Sequence, residues 1–182
     1  MNSRFSALLL AGGKSRRMQR DKTLIEIDGE PMWRRQLRIL RSLEPNELFI
    51  AGPFCEHSCV TLADAESACG PLGGVVAGLR HCSTPLLLVL AVDLPRMTSR
   101  YLQELIGYGC VVPEGQPLCA IYPVTAFAIA ERCLATGNYS MQEFALQCAD
   151  AGLVRQIKID PKDEDLFLNM NTPEDLLALT NA

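Results

Sequence analysis

Two stretches constrain the fold of this chain more than anything else in it. Residues 5–10 read FSALLL and residues 85–92 read PLLLVLAV, and each ends at a break: Gly12-Gly13 after the first, Asp93-Leu94-Pro95 after the second. Strand-length runs that are apolar at consecutive positions belong inside a sheet covered on both faces, which is typical of parallel sheets.

The rest of the chain supplies the partners such a sheet needs. Short strands are expected at Glu47–Ala51, near Cys59–Leu62, at Cys110–Val112, Leu118–Tyr122 and Leu153–Ile159. Helical spacing is expected at Pro31–Leu43, where Trp33, Leu37 and Leu40 form the apolar stripe and Trp33 is read as core. Further helices are expected at Leu72–His81, Thr98–Ile106, Thr125–Thr136 and Ser140–Cys148, and a closing one enters through Thr172-Pro173-Glu174-Asp175. Pro31 suits a first helical turn, and Thr98 or Ser99 suits an N-terminal cap. Strands alternating with helices predict an α/β fold with a largely parallel central sheet flanked by helices. With 182 residues, no repeat and no linker, one domain spanning 1–182 is expected. Ligands of such sheets sit outside the carboxyl ends of the strands, where Gly12-Gly13 and Asp93 are delivered.

The formal net charge is −4, so no general basic surface points to nucleic acid. Positive charge is instead concentrated: Lys14, Arg16, Arg17, Arg20 and Lys22 follow the glycines, and Arg34, Arg35, Arg38 and Arg41 come soon after. The second group has helical spacing and reads as a solvated face. The first reads as a site for a local anionic ligand.

Gly12-Gly13-Lys14-Ser15 after a strand has the look of a phosphate-binding P-loop. That motif requires a glycine five residues before its final Gly-Lys, at position 8, and position 8 is Leu inside the strand. The chain then runs on as a basic loop rather than an apolar helix. What remains is a glycine turn where backbone N–H groups can approach an anion without a Cβ in the way. Lys14, Arg17 and Lys22 can neutralise a triphosphate, and Asp93 offers a hard oxygen for Mg²⁺, which favours one or two carboxylates plus phosphates. Asp21 reads as an organiser of this loop.

The stretch L-A-G-G-K-S-R-R-M-Q-R-D-K at 10–22 resembles the signature loop of the nucleotidyltransferases, L-A-G-G-x-S-x-R-M-G-x-D-K. G-P-L-G-G at 70–74, V-D-L-P at 92–95, Q-P-L-C-A-I-Y at 116–122 and N-M-N-T-P-E-D-L at 169–176 accompany it. In this order and spacing the set is similar to the molybdenum cofactor guanylyltransferases across nearly the whole chain. The resemblance implies a Rossmann-like nucleotidyltransferase fold. It also implies transfer of GMP from GTP to the terminal phosphate of molybdopterin, with release of pyrophosphate.

By position, the resemblance places Leu10, Ala11, Gly12 and Gly13 along the nucleotide, Lys22 on its phosphates and Asp93 on Mg²⁺; Lys14 and Arg17, read as cations that neutralise phosphate charge, are expected beside them as nucleotide-binding and catalytic residues. Asp64 matches an aspartate that contacts the nucleotide, Gly70 shapes the pocket beside it, and Asn169 and Asn171 match the pterin side. Gln19 stands where glycine is common. Some members carry a nucleotide-binding asparagine at the end of the second strand, where this chain has Ala51-Gly52. The same chemistry with CTP, or with a sugar phosphate as acceptor, and a nucleotide-binding regulator without turnover are the alternatives. The retention of Lys22 and Asp93 speaks against the regulator.

Eight cysteines are present without a CxxC pair. Cys110, Cys119 and Cys133 lie in apolar runs and read as small core residues. Cys55-Glu56-His57-Ser58-Cys59 could be half of a zinc site, but no second Cys/His pair completes it. His57 and His81 receive no role. The first apolar run is too short for a secretory leader, and no segment reaches the ~20 apolar residues of a membrane span. A cytoplasmic protein with reduced thiols is expected, without membrane or nucleic-acid partners. Transient contact with cofactor-biosynthesis or acceptor proteins follows from the resemblance alone.

Overall fold

The computed structural model describes residues 4–12, 25–27, 29–57, 59–62 and 69–169. The first strand, β1 (Phe5–Leu10), is followed by a two-stranded antiparallel hairpin, β2 (Glu26–Ile27) and β3 (Glu30–Pro31), and by helix α1 (Met32–Arg41). Next come β4 (Glu47–Ala51), β5 (Val60–Leu62), α2 (Gly70–His81), β6 (Leu86–Ala91) and α3 (Ser99–Gly107). The chain continues through β7 (Val111–Pro113), β8 (Cys119–Pro123), α4 (Phe127–Ala135), α5 (Met141–Asp150) and β9 (Arg155–Ile157) to a 3-10 segment at Pro161–Phe167. The expected closing helix from Thr172 lies outside the described residues.

The main sheet has the order β5-β4-β1-β6-β8. Its first four strands are parallel, and β8 alone runs antiparallel, paired with β6. β7 and β9 form a separate parallel pair. The expected strand at 110–112 therefore leaves the main sheet, and the one at 118–122 turns against its direction.

Alternate side chains of each interior strand serve opposite layers. Ala7, Leu9, Leu48, Ile50, Leu88 and Leu90 pack with α1 and α3, whereas Leu8, Leu10, Phe49, Ala51, Leu87 and Val89 pack with α2, α4 and α5. This period-two division explains why the strands are apolar on both faces, save for Ser6 and Glu47 at their amino ends. Trp33 is core as expected, stacked on Phe54 with ring centroids 4.7 Å apart.

Helix ends follow local chemistry. Thr98 caps α3 by accepting the Tyr101 N–H at 3.2 Å, and Ser140 caps α5 through the Glu143 N–H at 3.3 Å. α2 begins two residues earlier than the apolar pattern suggests, because Gly70 turns into it at φ +59° and Pro71 fits its first turn. His81, at the other end of α2, hydrogen-bonds the Ala77 carbonyl through Nδ1 at 2.8 Å, a role the sequence did not reveal.

All eight cysteines are free thiols. Burial pushes Cys119 and Cys148 up to about 12, so both stay protonated core residues. Cys133 is core as expected, while Cys110 is only half-buried at the core's margin. No helix among the described residues is long and apolar enough to cross a membrane.

Candidate active site

Three parallel strands end level with one another. Leu10 pairs with Ala51 on one side and Ala91 on the other. The Ala11 N–H donates to the Ala51 carbonyl at 2.8 Å, and the Val92 N–H donates to the Leu10 carbonyl at 3.1 Å. The residues that leave this edge, Gly12, Gly52 and Asp93, are thereby gathered at one end of the sheet.

Leu10 and Ala11 are 6% and 1% exposed, with side chains in opposite core layers. What they present at the edge is backbone. Gly12 is exposed beyond them. Gly52 packs so tightly on this turn that a Cβ there would stand 2.7 Å from the Ala11 carbonyl carbon. The end of β4, Ala51-Gly52, thus meets the end of β1 backbone to backbone.

α2 is drawn onto the same edge by its glycines. A Cβ at Gly74 would meet Leu10 Cδ2 at 2.6 Å and the Ala51 Cβ at 3.1 Å, and one at Gly78 would meet Leu8 Cδ2 at 2.8 Å. Gly70 is exposed at the start of this helix, one turn before Gly74. The positive end of the helix dipole there suits an anion. The G-P-L-G-G stretch thus has a packing role as well as its position near the edge.

Asp93 is half-buried in a loop held from outside the sheet. Gln36 of α1 is fully buried, and its Nε2 donates to the Leu94 carbonyl at 2.5 Å. Arg35 Nε donates to the Pro95 carbonyl at 3.2 Å. The Met97 N–H also reaches the Leu94 carbonyl, at 3.1 Å. Gln36 Oε1 is buried with no hydrogen-bond partner among the described residues. The sequence reading missed this bracket by assigning 34–41 to a solvated face. Arg34, Arg38 and Arg41 are indeed exposed, and Arg38 pairs with Glu30 at 2.8 Å, a hydrogen bond that holds the Glu30 carboxyl below its usual value. Arg35 turns inward instead.

Arg96, three residues beyond Asp93, reaches Asp165 at 3.7 Å, and Tyr101 meets Phe167 edge-on at 5.3 Å. These contacts fasten the 161–167 segment to α3 and the Asp93 loop, and Asn169 follows it, exposed. A cavity of about 200 Å³ lies between that segment and α3, lined by Thr98, Tyr101, Glu104, Lys162 and Leu166 among others. Among the described residues that line it, none is one of the residues expected at the site. Of those residues, Leu10, Ala11, Gly12 and Asp93 are brought to one edge and Gly70 lies on the helix packed over it. Gly13, Lys14, Arg17, Lys22, Asp64 and Asn171 lie outside the described residues.

Among the described residues no group of three or more His, Cys, Asp or Glu is placed to hold a metal. Asp93 is a single carboxylate at a strand end, a donor suited to a hard cation whose remaining ligands are phosphate oxygens and water.

The fold matches the crystal structure of molybdopterin-guanine dinucleotide biosynthesis protein A from Archaeoglobus fulgidus, with a TM-score of 0.78 and 22% identity over 97% of each chain. A family model, the MobA-like NTP transferase domain, matches residues 7–151. Fold and domain together define a nucleotidyltransferase. Two relatives narrow the class. One, from Opitutus terrae, bears the name "Probable molybdenum cofactor guanylyltransferase" and is 34% identical, with 96% of each chain covered. The other, a molybdenum cofactor guanylyltransferase of Pseudomonas putida, is 31% identical over 93% of this chain and 94% of its own. The chain belongs to the MobA-like NTP transferase family, in the branch of the molybdenum cofactor guanylyltransferases.

Proposed function

We propose that residues 1–182 act as one domain that transfers GMP from GTP to the terminal phosphate of molybdopterin. The observation that carries this reading is the common strand edge, where the Gly12 backbone and the Asp93 carboxylate leave neighbouring strands at one level. A phosphate oxygen of the acceptor bonds to the α-phosphorus of GTP as the bond to the β-phosphate's bridging oxygen breaks, and pyrophosphate leaves. A phosphate monoester is already anionic near neutral pH, so no side chain need act as nucleophile. Catalysis is then positioning and charge neutralisation.

Each residue has an assigned task. The backbone from Leu10 to Gly13 cradles the nucleotide, and Lys14, Arg17 and Lys22 offset phosphate charge. Asp93 holds Mg²⁺, which when bound withdraws charge from the reacting phosphates. Asp64 and Gly70 bound the nucleotide pocket, and Asn169 and Asn171 receive the pterin. Free thiols at all eight cysteines fit a cytoplasmic setting. The product dinucleotide must pass to an acceptor enzyme, and transient contact with such proteins or with the supplier of molybdopterin belongs to the same reading.

Guanine is favoured as the base. Asp64 can accept two N–H donors from its N1/N2 edge, whereas cytosine offers only its amino group. Incubation with molybdopterin, Mg²⁺ and each nucleoside triphosphate, followed by identification of the product, tests the whole assignment. A guanine dinucleotide with pyrophosphate is expected. A cytosine dinucleotide would reassign the base and leave the transfer chemistry standing, and no dinucleotide from any triphosphate would overturn the proposal.

A further inference from the structure

We infer that Gln36, with Arg35 beside it, is a positioning residue for the Asp93 carboxylate, acting through the backbone carbonyls of Leu94 and Pro95. The inference rests on the reading of Asp93 as the metal-binding carboxylate.

The geometry sets this pair apart from ordinary helix packing. α1 otherwise meets the sheet through an apolar stripe of Met32, Trp33, Leu37 and Leu40. Gln36 interrupts that stripe while fully buried, and its side-chain amide donates to the carbonyl immediately after Asp93. Arg35 takes the next carbonyl along. Two donors from one rigid helix thus seize two consecutive carbonyls of one loop, which fixes the direction in which the preceding side chain leaves the strand.

Stability does not call for the amide. Its other end, Oε1, is a buried acceptor with no partner among the described residues, a feature that is destabilising in itself. The Leu94 carbonyl would keep the Met97 N–H if Gln36 were apolar. An apolar residue of similar length would therefore remove one orphaned acceptor and create none. The arrangement sacrifices some stability for placement, as positions around active sites commonly do.

The test compares Gln36→Met, Arg35→Ala and Asp93→Ala with the parent protein in three measurements: thermal midpoint, Mn²⁺ binding in the presence of GTP followed by electron paramagnetic resonance, and steady-state turnover as a function of Mg²⁺. For Gln36→Met the midpoint should stay within ~2 °C of the parent. Its kcat should fall roughly tenfold to a hundredfold, the scale for a misplaced catalytic group, and both Mn²⁺ affinity and the half-maximal Mg²⁺ should weaken. Arg35→Ala should move the same quantities in the same direction by less, and it stands as the test should Gln36→Met fail to fold. Parental Mn²⁺ affinity and rate in both bracket variants, with Asp93→Ala inactive, would overturn the inference and leave the site reading intact. So would a loss of activity that merely tracks a lowered midpoint while Mn²⁺ affinity is unchanged. An Asp93→Ala protein that binds Mn²⁺ and turns over normally would instead remove the reading on which the inference stands.

Discussion

Gly52 and Ala11 meet backbone to backbone: a Cβ on Gly52 would lie 2.7 Å from the Ala11 carbonyl carbon, 2.8 Å from its oxygen and 2.9 Å from the Gly12 nitrogen. None of these atoms can rotate away. Gly52→Ala should therefore displace the Ala11-Gly12 turn, costing about 1–3 kcal/mol of stability and weakening GTP binding. Gly74→Ala should cost less, since its closest contact is the flexible tip of Leu10 and alanine is worth about 1 kcal/mol over glycine inside a helix. Denaturant unfolding and GTP titration of the two variants check the ranking. A Gly74→Ala protein more impaired than Gly52→Ala would refute it.

Asp93→Ala should leave a folded protein without turnover. Asp93 is half-buried at a strand end, so its loss removes a carboxylate and little packing. Circular dichroism should match the parent, and Mg²⁺-dependent product formation should vanish. Normal activity in a folded variant would contradict the assignment.

Lys22→Met addresses the basic loop. A charge-assisted phosphate contact contributes ~1.5–3 kcal/mol, corresponding to roughly a ten- to hundredfold change. In the proposed role the lysine offsets phosphate charge before and during transfer, so GTP affinity and rate should fall together. Parental values for both would return the loop to a plain solvated segment.

Glu47 sets a pH dependence at the opposite end of the sheet. Partial burial pushes its carboxyl upward, but hydrogen bonds from Ser6 Oγ at 2.6 Å, Ser83 N–H at 2.9 Å and Ser83 Oγ at 2.7 Å outweigh burial and hold it below the usual value. A depressed carboxyl stabilises the fold above its unfolded value, about 4.3, and that contribution is lost as pH falls through the lower native value. Glu47→Gln should cost about 1–3 kcal/mol at neutral pH. The gap from the parent should narrow below about pH 4, measured by urea unfolding across pH. A gap independent of pH would show that the carboxylate charge is immaterial.

The sequence disclosed the parts whose physics is local. β1, β4 and β6 could be bounded to within a residue or so, because both faces are apolar and each strand ends at a turn signal. The hairpin of β2 and β3 was missed because two-residue strands carry no period. The antiparallel sense of β8 was invisible for another reason: alternation along a strand is the same in either direction. The placement of Gly12 and Asp93 at neighbouring strand ends was legible from the turn signals that close each strand. Gln36 was overlooked among its arginine neighbours, yet it lies three residues from Trp33 and four from Met32 and Leu40, inside the buried stripe. A polar residue on a core face was the available signal. Gly52 and Gly74 depend on distances between segments, which no spacing along the chain encodes.

The hydroxyl and carboxylate cluster of Ser6, Glu47 and Thr84 also bears on how this scaffold could be altered. Ser6 and Glu47 open neighbouring strands, Thr84 precedes a third, and the Ser6 and Thr84 hydroxyls stand 2.8 Å apart, all at the amino end of the sheet. The polar fastening of the strands is thus spatially separate from the edge that delivers Gly12 and Asp93. Outside the close contacts of Gly52 and Gly74, changes in the carboxyl-edge loops leave this fastening untouched, so acceptor choice can vary there with little effect on the framework at the other end.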